Sequence, residues 1–250
     1  MRWILFLLVI LLPQAMVAQE AIVQFEQANQ LYRNGDVQKA AQMYEQIIKN
    51  GYESPVLYYN LGNACFKSNN IPSAILNYER AKRLAPHDED VTYNLRLANL
   101  KVIDKIEPIP QLFFVEWWRG VTNLLSADGW STVMIIALWC AAVCGAVFML
   151  ARSFILQRLS FFLVLLSMVV SVLAFVWIRQ RIQQELDQQS GVVFATSVSV
   201  KSAPDEQSTD LFVLHEGVKV ELLDNVGTWR KIRLADGKIG WLSDTSIQII

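Results

Sequence analysis

Three cysteines, two histidines and one run of acids are the residues of this 250-residue chain that could support covalent, acid–base or metal chemistry. Cys140 and Cys144 stand four apart, on one face of a helix. That spacing would suit a metal or redox pair if acidic or histidine ligands stood nearby, but the surrounding run offers none. Together with Cys65 they form an odd set without CxxC spacing, which argues against a disulfide framework and for small apolar packing residues. A Ser-His-Asp or Cys-His hydrolase needs a base oriented beside its nucleophile. His87 follows Pro86 in an inter-helix turn and His215 precedes a β-turn, so both read as surface residues. Asp88-Glu89-Asp90 stands at a helix start, where negative charge favours the helix dipole, and reads as a cap rather than a metal site. No phosphate loop, HExxH zinc pair or GxGxxG fingerprint occurs. The expectation is therefore no catalytic, cofactor-binding or metal residue, and binding rather than catalysis. A formal net charge of −1 without a long basic block gives little drive toward nucleic acid.

The elements that must present any binding surface are announced by a repeat. Tyr59-Asn60-Leu61 recurs as Tyr93-Asn94-Leu95 and Ala64 as Ala98; Ala40 and Tyr44-Glu45 recur as Ala74 and Tyr78-Glu79, always 34 residues on. From Ala21 to Ile106 the apolar positions recur at three and four, as amphipathic helices require. Tyr58, Leu61, Gly62, Cys65, Ala74, Tyr78, Ala81 and Pro86 fall where a helix-turn-helix unit of this length places its bulky and small residues. Gly62 and Ala74 should let paired helices approach closely, and Pro86 should end the second helix because it cannot donate to the ladder. Residues 19–108 thus resemble the tetratricopeptide repeat family. The first unit, Ala21 to Ser54, has Ala28 in place of the glycine and Gly35-Asp36 at its turn, and Asp88 to Asp104 is expected to add a solubilising cap. In such an array first-helix residues line the concave face, which makes Asn29, Arg33, Asn60, Asn63 and Lys67 the candidates to contact a peptide or helix, or simply solvated polar positions.

Apolar runs flank the array. Met1-Arg2, the run Trp3 to Leu12, Pro13 and the small residues Ala15 and Ala18 have the layout of an export signal over 1–18, cleaved after Ala18 or kept as an anchor. After Pro108 and Pro110, residues 109–129 hold an amphipathic segment with Phe114, Trp117, Trp118, Val121, Leu124 and Leu125 on one stripe and Glu116, Arg119, Thr122 and Asn123 facing away. This suits a helix lying in the membrane interface, or one packed on the array. Ser131 to Ala151 and Leu159 to Ile178 carry no charge, and at ~1.5 Å per residue each reaches ~30 Å. Two transmembrane helices are expected, over 130–151 and 158–178. Ala141, Ala142, Gly145 and Ala146 should form a small-residue face toward the second span. Arg152 and Arg158 place the loop between them in the cytoplasm by the positive-inside rule, with Arg179 and Arg181 arguing the other way. An exported N-terminal part favours the first assignment, with both soluble parts periplasmic.

From Val192 the pattern changes to alternation rich in Val, Ile, Thr and aromatics, punctuated by Ser202-Ala203-Pro204, Asp224-Asn225 and Asp236-Gly237. Short strands at this spacing imply a small all-β barrel over 190–250. Val198 to Pro204, Leu214-His215-Glu216-Gly217 to Val220, Trp229, Ile232, Gly237 and Gly240-Trp241 resemble the bacterial SH3-like domain. Trp229 and Trp241 are expected either to fill its core or to form a ligand platform.

The expected fold class is a multidomain membrane protein: an all-α tetratricopeptide array, two transmembrane helices and an all-β SH3-like barrel. This order, closing on Ile247-Gln248-Ile249-Ile250, resembles the BatE-like family of aerotolerance-operon membrane proteins. The resemblance implies a non-enzymatic inner-membrane scaffold acting with von Willebrand A-domain membrane proteins and a MoxR-type ATPase under envelope stress. Two other classes stand beside it. One is a peptidoglycan-binding sensor or partner of a cell-wall enzyme; the other is a membrane-bound enzyme, disfavoured by the scarcity of His and paired acids.

Overall fold

The computed structural model describes residues 19–250 apart from 111 and 188, so the signal expected over 1–18 lies outside the described residues. Two compact units result. One joins the chain up to Pro108 with Gln189–Ile250; the other is Ile109–Gln188.

The helical array starts with α1 over residues 19–33, followed by α2 (Val37–Lys49), α3 (Pro55–Lys67), α4 (Ile71–Leu84) and α5 (Glu89–Asn99). Its boundaries follow local chemistry that recurs with the repeat. Ser54 and Asp88, one period apart, cap α3 and α5 by accepting from Leu57 N at 3.1 Å and Val91 N at 3.0 Å. Asp88 is therefore a helix cap, as its position in the sequence suggests. Gly35 and Asn69, also one period apart, both take left-handed backbone at φ 90° and 62°. Asparagine tolerates that region because its short side chain can bond locally. α4 ends at Leu84, two residues before Pro86.

Small residues set the spacing between helices. Ala28, Ala40, Ala64, Ala74, Ala81 and Ala98 are fully buried, and Tyr44 and Tyr78 are each 1% exposed. A Cβ on Gly62 would lie 2.6 Å from Cδ1 and Cε1 of Tyr78, so α3 and α4 meet through a hydrogen atom and a ring face. The last helix is shorter than expected: α5 stops at Asn99, and Val102 is buried beyond its end. The segment expected as a solubilising cap thus carries an apolar anchor.

That anchor meets the C-terminal sheet. Strands β1 (Ser190–Val193), β2 (Ser197–Lys201), β3 (Asp210–His215), β4 (Lys219–Val226), β5 (Trp229–Arg233), β6 (Ile239–Ser243) and β7 (Ile247–Ile249) form one antiparallel sheet in the order β3-β2-β6-β5-β4-β1-β7. The hairpin at Asp236-Gly237 joins β5 to β6, with Gly237 left-handed at φ 87°. Asp224-Asn225 is not a turn. β4 runs through it with a bulge between Leu222 and Asp224, and the chain reverses at Gly227, φ 59°. Val192, Val193, Val200, Leu214, Val220, Ile232 and Leu242 make the core, and a Cβ on Gly240 would stand 2.4 Å from Val200 Cγ1.

Array and sheet share one hydrophobic cluster. A Cβ on Gly217 would lie 2.9 Å from Val102 Cγ2 and 3.4 Å from Ile75 Cδ1. Polar contacts frame this seam. The Asp104 carboxylate accepts from His215 N at 2.7 Å and stands 3.0 Å from His215 Nδ1. Lys219 Nζ reaches Glu79 at 2.7 Å, and Arg80 and Arg83 donate to the carbonyls of Ile249 and Ile250 at 2.8 and 2.6 Å. His215, expected as a surface residue, is a seam residue.

In the second unit, α6 (Phe113–Thr122) precedes α7 (Ala127–Leu150) and α8 (Phe154–Asp187). Ser126 caps α7 by accepting from Gly129 N at 3.1 Å. Two stretches, Ala127–Leu150 and Phe154–Ile182, are long and apolar enough to cross a membrane. The loop between them is shorter than the sequence suggests, because Arg158 already lies in α8 and only residues 151–153 connect the helices. α7 pairs with α8, but through a different face from the one expected. Trp130 and Ala137 are buried, with Ala141 and Cys144 half-buried further along, whereas Ala142 and Ala146 are exposed. A Cβ on Gly145 would meet nothing within 4 Å. The small residues that make the close contact come instead from α8, where Ser160, Ser171 and Ala174 are buried at heptad-like spacing with Ile178.

Candidate functional site

The array builds a ladder of amides and phenols from the period itself. Tyr44 Oη donates to Asn29 Oδ1 at 2.7 Å, and Asn60 Nδ2 donates to the same oxygen at 3.0 Å. One repeat later Tyr78 Oη donates to Asn63 Oδ1 at 2.8 Å, and Asn94 Nδ2 to the same oxygen at 3.1 Å. Asn94 Nδ2 also reaches Tyr59 Oη at 2.8 Å. The pairs Asn29/Asn63, Asn60/Asn94 and Tyr44/Tyr78 are each one period apart, so Asn29 and Asn63 each accept from a tyrosine of their own unit and an asparagine of the next. Tyr44, Tyr59, Tyr78 and Asn94 escape a search for exposed polar residues because most of their surface is packed, and the shared spacing is the one signal that points to them without giving their pairing.

Burial pushes the Tyr44 phenol up to about 12 and raises that of Tyr78 further. Both therefore stay protonated donors at neutral pH. Asn29 and Asn63 hold the units in register as well as facing the cleft that Asn29, Tyr32, Arg33, Tyr44, Asn60 and Asn63 line, with a volume of about 250 Å³. The cationic candidates differ from the asparagines in freedom. Arg33 and Lys67 are exposed, and the Lys67 ammonium stands 5.1 Å from the Tyr32 ring centroid, a cation–π contact at the cleft rim. The structure thus brings all five candidates to one face and separates them into hydrogen-bonded amides and exposed cations.

Trp229 and Trp241 do not fill the core of the sheet, which is aliphatic. Both are half-buried on its outer face, since Ile232 and Leu242 occupy the inward positions of β5 and β6. Trp241 pairs across strands with Lys231, whose Nζ is 5.8 Å from its ring centroid, and with Lys201. The lysine stems account for the burial of the ring. Lys201 is itself held by Asp210 at 2.8 Å. Of the two expectations for these tryptophans, the core role is replaced by an outward aromatic and cationic strip.

Two of the residues with reactive side chains are occupied otherwise. Cys65 is buried, and burial pushes its thiol up to about 12, which leaves almost no thiolate at neutral pH. His215 is engaged with Asp104. Among the described residues no group of three or more His, Cys, Asp or Glu could hold a metal ion.

Residues 25–89 match the tetratricopeptide repeat family and residues 196–248 match the bacterial SH3 domain family. No curated protein matches the chain. Tetratricopeptide repeats point to protein–protein interaction and bacterial SH3 domains to binding at the cell wall. The matches agree with the two halves of the first unit, the helical array and the antiparallel sheet.

Proposed function

We propose that the protein is a non-enzymatic scaffold of the bacterial inner membrane that recruits protein partners through the cleft of its tetratricopeptide array. The observation that carries this reading is the ladder. It fixes a groove in shape with half-buried amides and buried phenols, and leaves Arg33 and Lys67 exposed at its rim, an arrangement suited to a peptide or helix with acidic groups. The order of modules resembles the BatE-like aerotolerance proteins, which makes von Willebrand A-domain membrane proteins and a MoxR-type ATPase system the partners to seek. Charge reversal at Arg33 and Lys67, with the ladder untouched, should remove partners that co-purify from membranes with the full-length protein, while its melting temperature stays unchanged. Surface changes of this kind cost under about 0.5 kcal/mol. A second reading rests on the outward Trp229, Trp241 and Lys231, which favour peptidoglycan as the ligand of the SH3 domain. If the charge-reversed protein keeps its partners, and the protein instead sediments with purified wall sacculi unless Trp241 is changed to alanine, the second reading replaces the first.

The packing of the first unit supports a topology for this scaffold. The array and the SH3 domain share a core, and the chain between them contains both candidate spans, which favours both lying on one side of the membrane. With the basic residue Arg152 in the short connection, that side is the periplasm. In a protein freed of Cys65, Cys140 and Cys144, single cysteines at Gln38 and Asn225 should react with a membrane-impermeant maleimide on intact spheroplasts. One at Ser153 should react only after lysis; the reverse pattern inverts the assignment.

A further inference from the structure

The segment between the array and the first span has three distinct faces. One face of α6 is pinned to the ends of α7 and α8: Trp118 Nε1 donates to Gln180 Oε1 at 2.6 Å, and Trp130 Nε1 to the carbonyl of Thr122 at 3.1 Å. Trp177 lies between the other two indoles, with ring centroids 5.7 Å from Trp118 and 4.4 Å from Trp130. Thr122 is fully buried, and Val121 packs against the cluster of Trp130, Ala174 and Ile178. Just past α6, Asn123 Oδ1 accepts from Arg181 Nη1 at 2.8 Å. These bonds set the helix at the level of Gln180 and Arg181, where the apolar run of α8 gives way to polar and charged residues.

At about 100° per residue a second face carries Phe113, Trp117 and, past the helix end, Leu124, with the exposed Phe114 at its border with the pinned face. Among the described residues it stays uncovered: Phe113 is 83% exposed, Trp117 66% and Leu124 69%. The third face carries Glu116, Gly120 and Asn123, exposed and without large apolar side chains. A helix held at the charged end of two lipid-length helices, apolar on one side and polar on another, has the composition of an in-plane interfacial helix. Tryptophan is the residue that favours this depth, because its ring is apolar and its N–H polar.

We infer that α6 is a membrane-embedded bracket, locked by Trp118, Trp130 and Trp177 to the end of the hairpin, with Phe113, Phe114, Trp117 and Leu124 inserted among the lipids of one leaflet at the headgroup–acyl boundary. The occupant of the uncovered face is lipid rather than protein, because the bonds to Gln180 and Arg181 hold α6 at the level where the exposed apolar surface of α8 ends, and exposed Arg179 at that same level is a cation suited to lipid phosphate. The bracket rests on the reading that α7 and α8 span a bilayer.

The test uses the full-length protein without its native cysteines, reconstituted in vesicles of phosphatidylcholine with a minor share of phosphatidylglycerol. Single cysteines at Phe113, Leu124, Glu116 and Trp139 carry an NBD label, quenched by lipids with a doxyl group at a shallow or a deep acyl position. The first three are exposed, and Trp139 is 69% exposed in the middle of α7, so labelling them disturbs no packing. Labels at 113 and 124 should shift to the blue and lose more intensity to the shallow than to the deep quencher, the label at 116 should lose little to either, and that at 139 should lose most to the deep one. If 139 behaves as expected but 113 and 124 are unquenched, or are quenched mainly by the deep lipid, the bracket is overturned and the spanning hairpin stands. If 139 is also unquenched, the spanning reading fails and the bracket with it.

Discussion

Leucine at Gly62 should unfold the helical array. Its Cβ alone would lie 2.6 Å from two carbons of the Tyr78 ring, and the remaining methyls have nowhere to go between two buried helices. The ring cannot swing aside cheaply, because it is 1% exposed and its hydroxyl is tied to Asn63. Overpacking in a well-ordered core costs about 1–3 kcal/mol and occasionally more. Displacing Tyr78 also breaks a bond on which the next repeat depends, so a cost of about 3 kcal/mol or more is expected, a large fraction of the stability of a small domain. Gly145→Leu is the matched control, since a Cβ there meets nothing within 4 Å. Helical melting of the two variants in detergent should differ by many degrees. A Gly62→Leu protein that melts like the parent would contradict the contact between α3 and α4.

Aspartate at Val102 should destabilise array and sheet together. Val102 lies outside any helix, so its substitution tests the seam rather than helix propensity. Its methyls fill the space over Gly217, and a carboxylate there would be placed in an apolar site with Asp104, already negative and bonded to His215, two residues away. Burying an unpaired polar group costs about 1–3 kcal/mol by mutational measure, and the like charge adds to it. Hydrogen exchange should therefore quicken on both sides, at Ile75 and Leu76 in the array and at Val192 and Val193 in the sheet. Faster exchange in the sheet alone, with the array unchanged, would show that the two halves are independent and that the shared cluster contributes nothing to the array.

A helix period, a strand period and a hydropathic length are local properties, and each was legible in the chain. The 34-residue recurrence announced the helical array, with its turn at Gly35-Asp36, a helix start at Asp88 and a stop before Pro86, while the last helix ends at Asn99, short of the expected Asp104. The pairing of Gly62 with a helix partner was legible too, since a glycine amid helix formers signals close approach. The Asp236-Gly237 hairpin followed from two residues alone, whereas Asp224-Asn225 misled because a bulge absorbs polar residues within a strand as readily as a turn does.

What the residues could not convey were relations between segments far apart in the chain. Exposure of Asn29, Asn60 and Asn63 was read from polarity, yet their partners Tyr44, Tyr78 and Asn94 sit on other helices, and only the stacking of units turns those amides into a ladder. The α7 face toward α8 was assigned to Ala141, Ala142, Gly145 and Ala146 from small-residue spacing; Ala141 is half-buried, but Ala142 and Ala146 are exposed, because the rotation of each helix is set by how both seams interdigitate, and Ser160, Ser171 and Ala174 of α8 provide the close approach. Trp229 and Trp241 were equally ambiguous, because a half-buried tryptophan on a sheet has the same alternation whichever face is inside. Composition and periodicity determined that this protein has a repeat array, two long apolar helices and a small β domain, since those patterns depend on neighbours within a few turns. Tertiary structure decided that Val102, Gly217, Asp104 and His215 join array and sheet into one unit, because a seam between residues more than a hundred positions apart depends on shape complementarity that no local pattern encodes.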